Sequence, residues 1–369
     1  MRRSLSVVAL TLLLAGCQEQ PLPLAPEEAD LQRGPAGAMY EVVDLGTLGG
    51  TSSLALGISR NGQVVGTSRT TGSTRPQFAF HWLDGEMVNL GSLPGSTFSR
   101  AFKVNEVGVA VGEAFTPSPE RSRAVMWRNG SIVDLGTLPG ATGAVANDIN
   151  NRGQVAGASG IRAFLWEDGE MRDLGAVSEA EDARSRGNAI NERGQVVGSS
   201  QTEILTSSGS RATHATLWDR GRAIDLGTLG EPTDFSVAFG LNARTEVVGE
   251  SVVGRVGTTT VYHAFLWSGS RMVDLHPTAL GLRHSRANAI NEQGEAVGHA
   301  SGFFGFPTID GKAVLWRNGV AVDLNQRISG GSGWVLRSAE GIDAAGHIVG
   351  YGSFGGQTRA FLLVPMRGR

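Results

Sequence analysis

The chain has 369 residues, of which 40% are hydrophobic, 18% charged and 53 are glycine. It is long enough to bury a large core and too poor in charge for a disordered chain. Its 32 basic and 35 acidic residues leave a formal net charge of −3, with no run of one sign. That excludes the concentrated field that nucleic-acid binding or an acidic tail requires.

Residues 1–17 read as an export signal. Arg2 and Arg3 form a positive start, and an apolar stretch follows from Leu5 to Leu14. The stretch is shorter than the roughly 20 residues needed to span a bilayer. It ends in Leu14-Ala15-Gly16-Cys17, which resembles the lipobox of bacterial lipoproteins. The resemblance implies cleavage before Cys17 and acylation of its thiol and new amino terminus; the alternative is an ordinary secretion signal with an accidental Cys. Each buried methylene contributes about 0.8 kcal/mol, so two or three acyl chains would anchor the protein stably. Gln18, rather than Asp, implies the outer membrane by the same resemblance. Cys17 is the single cysteine, so no disulfide is expected in the body. Residues 18–38, rich in Pro, Glu, Gln and Gly, read as a flexible tether.

From residue 39 to 366 the chain repeats itself. One phrase recurs seven times, as ISRNGQVVG from Ile58, VNEVGVAVG from Val104, INNRGQVAG from Ile149, INERGQVVG from Ile190, LNARTEVVG from Leu241, INEQGEAVG from Ile290 and IDAAGHIVG from Ile342. A second, typified by AFLWEDGEMRDLG, recurs six times. The period of about 40–52 residues matches one four-stranded propeller blade. Each unit reads as a first strand ending at the Ile or Val, an Asn-x-x-Gly hairpin, the QVVG strand, an apolar A-F-L-W strand, a Trp-x-x-Gly hairpin and a fourth strand. The A-F-L-W strand is apolar on both faces, so it must be covered on both.

The missing half-unit is split between the termini. Val42-Val43-Asp44-Leu45 is a fourth strand without a third, and Arg359-Ala360-Phe361-Leu362-Leu363 is a third without a fourth. The expected fold is therefore an all-β, seven-bladed β-propeller of four-stranded antiparallel blades, closed by the N-terminal strand pairing with the C-terminal blade. The rival architecture, a linear β-solenoid, has shorter turns and needs capping units.

These motifs resemble the bacterial extracellular HAF-repeat family, named for a His-Ala-Phe at the start of the third strand. The literal triplet is His263-Ala264-Phe265; other copies read Phe78-Ala79-Phe80, Arg162-Ala163-Phe164 and Arg359-Ala360-Phe361. The resemblance spans about residues 40–365 and implies an exported repeat protein, without an activity or catalytic residues to carry over.

Most repeated residues read as structural. Asp44, Asp134, Asp173, Asp225, Asp274 and Asp323, with Asn89 in the remaining copy, fall on outermost strands, too far apart to share a cation. They are expected to fix the turn after the fourth strand. Trp82, Trp127, Trp166, Trp218, Trp267 and Trp316 read as core between blades. Ala55, Ala101, Ala146, Gly187, Ala238, Ala287 and Ala339 are small because blades converge there. No two of the seven histidines have metal-pair spacing, and phosphate loops and nucleophile elbows are absent, so neither metal nor cofactor is expected.

The second-to-third and fourth-to-first connections emerge on one face, and they carry the variation: short at Ala158–Ile161, long at Ser199–Thr213 and Glu250–Tyr262. That face includes Phe303, Phe304 and Phe306, a candidate contact surface or a loop folded over its own cluster. Arg100, Arg186 and Arg286 stand four residues before the first-strand Ile or Val, and Arg337 one residue earlier still in its blade. They are expected to form a cationic collar at the channel mouth, unless each pairs with neighbours such as Glu181 or Asp182. The expected function is a monomeric, lipid-anchored binding scaffold at the membrane, contacting an envelope protein or an anionic glycan. The alternatives are a polysaccharide hydrolase or lyase, which needs two or three clustered carboxyls, and assembly work in an outer-membrane complex.

Overall fold

The computed structural model describes residues 39–72, 76–117, 120–303 and 310–366. The expected export signal of residues 1–17 and tether of residues 18–38, Cys17 included, lie outside them, as do Phe304 and Phe306.

The described residues form seven four-stranded antiparallel sheets, each a blade of one β-propeller. Blades one to six span residues 49–91, 99–134, 144–173, 185–225, 236–274 and 284–323. Blade seven takes three strands from residues 334–365, and its outermost strand is Tyr40–Asp44 from the other end of the chain. Val42 pairs with Leu363 and Asp44 with Phe361, and the Met366 amide donates to the Met39 carbonyl at 2.8 Å. The split half-unit is the seam that closes the ring. Leu45, Val349, Ala360 and Leu362 of blade seven pack with Ala55, Val64, Phe80 and Trp82 of blade one, so the core is continuous across that seam. Each fully buried Phe, such as Phe80 or Phe361, contributes roughly 1.5–3 kcal/mol.

In the five first hairpins that carry it, with Ser59 and Asp343 in its place in blades one and seven, the Asn does more than hold its own turn. Asn191 Oδ1 accepts from the Arg193 and Gln195 amides at 3.0 and 3.1 Å, while its Nδ2 donates to the Asn242 carbonyl of the next blade at 3.2 Å. The same inter-blade bond runs from Asn105, Asn150, Asn242 and Asn291, so the hairpin face carries a girdle of side-chain amides. Asp343 interrupts it, because a carboxylate has no amide hydrogens; it takes His347 Nδ1 at 2.7 Å instead. The second hairpins close through paired positive-φ residues, such as Asp168 and Gly169 at 49° and 93°.

The repeated Asp of the fourth strand fixes a turn. Asp173 Oδ1 accepts from the Gly175 amide at 2.7 Å, and Oδ2 takes Arg162 from the start of the third strand at 3.0 Å. His263 does the same for Asp274 at 2.8 Å, which gives the leading residue of the His-Ala-Phe triplet a structural partner.

In every blade the first strand contains a one-residue bulge. Pairing runs from Gly187 with Gly198 directly to Ala189 with Val197, skipping Asn188. The skipped residues are Leu56, Phe102, Asn147, Asn188, Phe239, Asn288 and Glu340. A bulge re-aims a side chain, and these seven line the axis. The bulge also explains the glycine ending each QVVG run: a Cβ at Gly198 would stand 1.9 Å from the Arg186 carbonyl oxygen.

The segments read as long loops at Ser199–Thr213 and Glu250–Tyr262 are hairpin arms. Strands Val247–Val256 and Thr259–Ser268 stay paired to Val256–Thr259, because their Val- and Thr-rich sequences continue the ladder.

Candidate functional site: an axial cavity

The seven bulge residues, with the side chains one step nearer the variable face, enclose a cavity of about 610 Å³ on the propeller axis. Arg100, Arg186 and Arg286 all contribute to its lining, together with Leu54, Lys103, His299 and Tyr351. Arg337 does not. Blade seven carries a second bulge there: pairing steps from Leu336 with Gly352 to Ser338 with Tyr351 and leaves Arg337 out of phase. Its guanidinium donates to the Gly311 carbonyl of blade six at 3.3 Å. The four-arginine collar is thus a three-arginine collar, and Ser338 occupies the fourth place. Phe303 is 68% exposed and is absent from the lining.

The register decides what each arginine faces. The residue opposite Arg100 is Glu113, which holds the guanidinium in a salt bridge. Opposite Arg186 is Ser199, and opposite Arg286 is His299. Asp182, a neighbour considered from the sequence, pairs with Arg211 at 3.0 Å instead. The carboxylate acting on Arg186 is Glu113, already held by Arg100; burial lowers the Arg186 pKa and Glu113 opposes that. Arg286 lies flat on Phe239, its central carbon 3.5 Å from the ring centroid. Its Nε is buried with no hydrogen-bond acceptor among the described residues.

Burial dominates the titratable groups. It pushes His299 down to about 3, with Arg286 adding to the effect, so this imidazole is neutral at ordinary pH. It raises Glu250 and Glu340, against the opposing pull of Arg286 on both. Deeper in the wall, burial lifts Asp148 to about 6, although Lys103 and the Ile190 and Ile149 amides favour its charged form. Ser338 links His299, at 3.2 Å, to Glu340.

Sequence reasoning missed the bulge ring and the second-strand carboxyls Glu113 and Glu250. The signal for the latter was present, since each follows the QVVG-type glycine, as in Gly112-Glu113 and Gly249-Glu250. Among the described residues, no group of three or more His, Cys, Asp or Glu is placed to hold a metal ion.

The fold and cavity define a seven-bladed β-propeller with an axial pocket lined by three arginines and a lysine. No protein-family model and no curated protein matches the chain. Solved structures do. An acylaminoacyl peptidase from Pyrococcus horikoshii is 11% identical with a TM-score of 0.41, over 71% of this chain and 44% of that one. An ancestral GH74 enzyme is 14% identical with a TM-score of 0.49, over 86% and 48%. The β-propeller domain of the Trilobed protease from Pyrococcus furiosus is 9% identical with a TM-score of 0.37, over 86% of both. This chain spans less than half the length of the first two proteins.

Proposed function

We propose that this protein is a binding scaffold, held at the outer membrane through acylated Cys17, that receives an anionic group of a protein or glycan in the axial cavity from the variable face. The observation that carries the reading is the strand register. Arg186 and Arg286 share one cavity, and the residues opposite them are Ser199 and His299 rather than carboxylates. Neither arginine has a carboxylate directly opposite it in the ladder, although Glu113 acts on Arg186, and Glu250 and Glu340 act on Arg286. Guanidinium forks in a partly dry pocket bind carboxylate or phosphate bidentately. We also read the chain as an HAF-repeat protein; the His263–Asp274 pair supports this by giving the triplet's His a structural role.

The hydrolase reading rests on Glu340, an acidic group with a raised pKa in the cavity lining. A glycosidase of the common kind needs two carboxyls about 5–9 Å apart. Among the described lining residues Glu340 is the one carboxyl, so binding is favoured over hydrolysis.

The test is a crosslinking pull-down from native envelopes with three baits: the propeller lacking its lipid Cys, its Arg100/Arg186/Arg286→Ala form, and its Arg337→Ala form. A partner kept by the first and third and lost by the second is expected. Equal recovery by all three would remove the cavity from the reading. Palmitate labelling that disappears on Cys17→Ser is expected for the anchor; label retained on that variant would remove it.

A further inference from the structure

The bulge ring carries more chemistry than the arginines alone require. Asn147, Asn188 and Asn288 donate Nδ2 to the carbonyls of Gly187, Ala238 and Ala339 in the following blades, at 2.7, 2.8 and 3.0 Å. A carbonyl can only accept, so in each case the amide nitrogen is turned to the neighbouring blade. Each Oδ1 is left as an acceptor, and no protein group among the described residues donates to it. Three hydrogen-bond acceptors in the lining call for a ligand that brings O–H or N–H donors.

The acceptors and cations come together. Blades four and six read Ser-Arg-Gly-Asn and Ser-Arg-Ala-Asn, so Arg186 with Asn188 and Arg286 with Asn288 are each two residues apart on one strand. All four line the same cavity. Part of the apolar lining comes from across the ring, where blades one and two contribute Leu54, Leu56 and Phe102 beside Arg100 and Lys103, and Phe239 of blade five adds a ring between the two arginine strands. One ligand can therefore meet guanidinium groups and amide oxygens from blades four and six together with hydrocarbon from blades one, two and five. Its volume of about 610 Å³ lies within the usual range for small-ligand sites.

We propose that the cavity binds an acidic sugar, a hexuronate unit of a glycan. Its carboxylate is held by Arg186 and Arg286, its hydroxyls donate to the amide oxygens of Asn188, Asn288 and Asn147, and its C–H face lies toward Leu56 and Phe102. This inference rests on the anion-binding reading of the same cavity. A bare sulfate would use the arginines and leave the amide oxygens without donors, and an acidic peptide would bring N–H donors but not a set of hydroxyls around one ring.

The test is isothermal titration of the full propeller with four probes: glucuronate, glucose, inorganic sulfate and N-acetylglutamate. Binding of glucuronate at least about tenfold tighter than each of the others is expected from the added hydrogen bonds and the ion pair. If sulfate or N-acetylglutamate matches glucuronate, the anion collar stands and the sugar assignment fails. If glucose matches it, the arginines are not the anchor and the assignment also fails. If none binds, the collar falls too. Asn188→Leu with Asn288→Leu separates the parts, since Leu56 shows that the position accepts leucine. That variant should lose about tenfold in glucuronate affinity with sulfate unchanged. Undiminished glucuronate binding would overturn the role given to the amides.

Discussion

Arg286 and Phe239 belong to adjacent blades and lie face to face, with the guanidinium carbon 3.5 Å from the ring centroid. This contact helps hold one arm of the collar in place, beside the pull of Glu250 and Glu340. An ammonium group has no flat face to stack, so Arg286→Lys is not a conservative change here. A stacked pair of this kind is worth about 0.5–2 kcal/mol, so titration should show glucuronate affinity falling roughly 2–30-fold. Phe239→Leu should act in the same direction with little change in melting temperature. An Arg286→Lys variant that binds as tightly as wild type would show that the stack does not position the collar.

The close approach at the bulge predicts a steep stability cost. In Gly198→Ala the new methyl would meet the Arg186 carbonyl oxygen at 1.9 Å and the Asn188 nitrogen at 3.1 Å. Backbone has to move, at a cost of about 2–4 kcal/mol, visible as an earlier urea midpoint. Gly330→Ala, with nothing within 4 Å of its Cβ, is the matched control and should leave the midpoint in place.

The amide girdle makes a prediction with a built-in rescue. Asn191→Asp turns a buried donor to the Asn242 carbonyl and to Gln195 Oε1 into an acceptor facing two acceptors. The expected loss is about 2–3 kcal/mol by denaturant titration. Blade seven already tolerates Asp343 because His347 Nδ1 meets it at 2.7 Å. Adding Gln195→His to Asn191→Asp should therefore recover part of the loss; no recovery would mean that the His contact does not compensate.

His299 sets a pH dependence. Its folded pKa, about 3, lies below the ordinary value of 6.5, so the folded state resists protonation. The stability linked to this neutral ring is fully present above about pH 6.5 and is lost as pH falls toward 3. Between pH 7 and pH 5 the loss should be about 2 kcal/mol. Asp148, raised to about 6, works in the opposite sense, because its burial penalty is relieved as pH falls through that value. The clean measurement is the difference in unfolding free energy between wild type and His299→Gln at the two pH values. A difference that does not change with pH would show that His299 carries no such linkage.

The closure of the ring was legible because it depends on counting phrases, and a phrase cut in two at the termini leaves both halves visible. The bulge was not. It occurs in every blade, so it changes no spacing between copies, and the skipped residues have no common chemistry from Leu56 to Glu340. Arg337 was misplaced for a related reason. A second extra residue in one strand shifts it out of step with Arg100, Arg186 and Arg286, and sequence position alone cannot show which residue of Leu336-Arg337-Ser338 the partner strand skips. Glu113 could have been found by pairing Arg100 across the first hairpin, since a fixed turn and a single bulge determine its partner.

The pairing of Tyr40–Asp44 with Gln357–Pro365 also dictates an order of events. A chain made from its amino end produces the closing strand first and that strand's partner last, so six blades can be complete while the seventh is still lacking a strand. Until residues 357–365 arrive, Tyr40–Asp44 has no strand edge to pair with. Joining such distant segments adds little entropy cost beyond that of a shorter loop, because the cost grows only with the logarithm of the span. The last step is therefore a docking of ends on a finished ring, and any delay there leaves one unpaired strand edge open to a second chain.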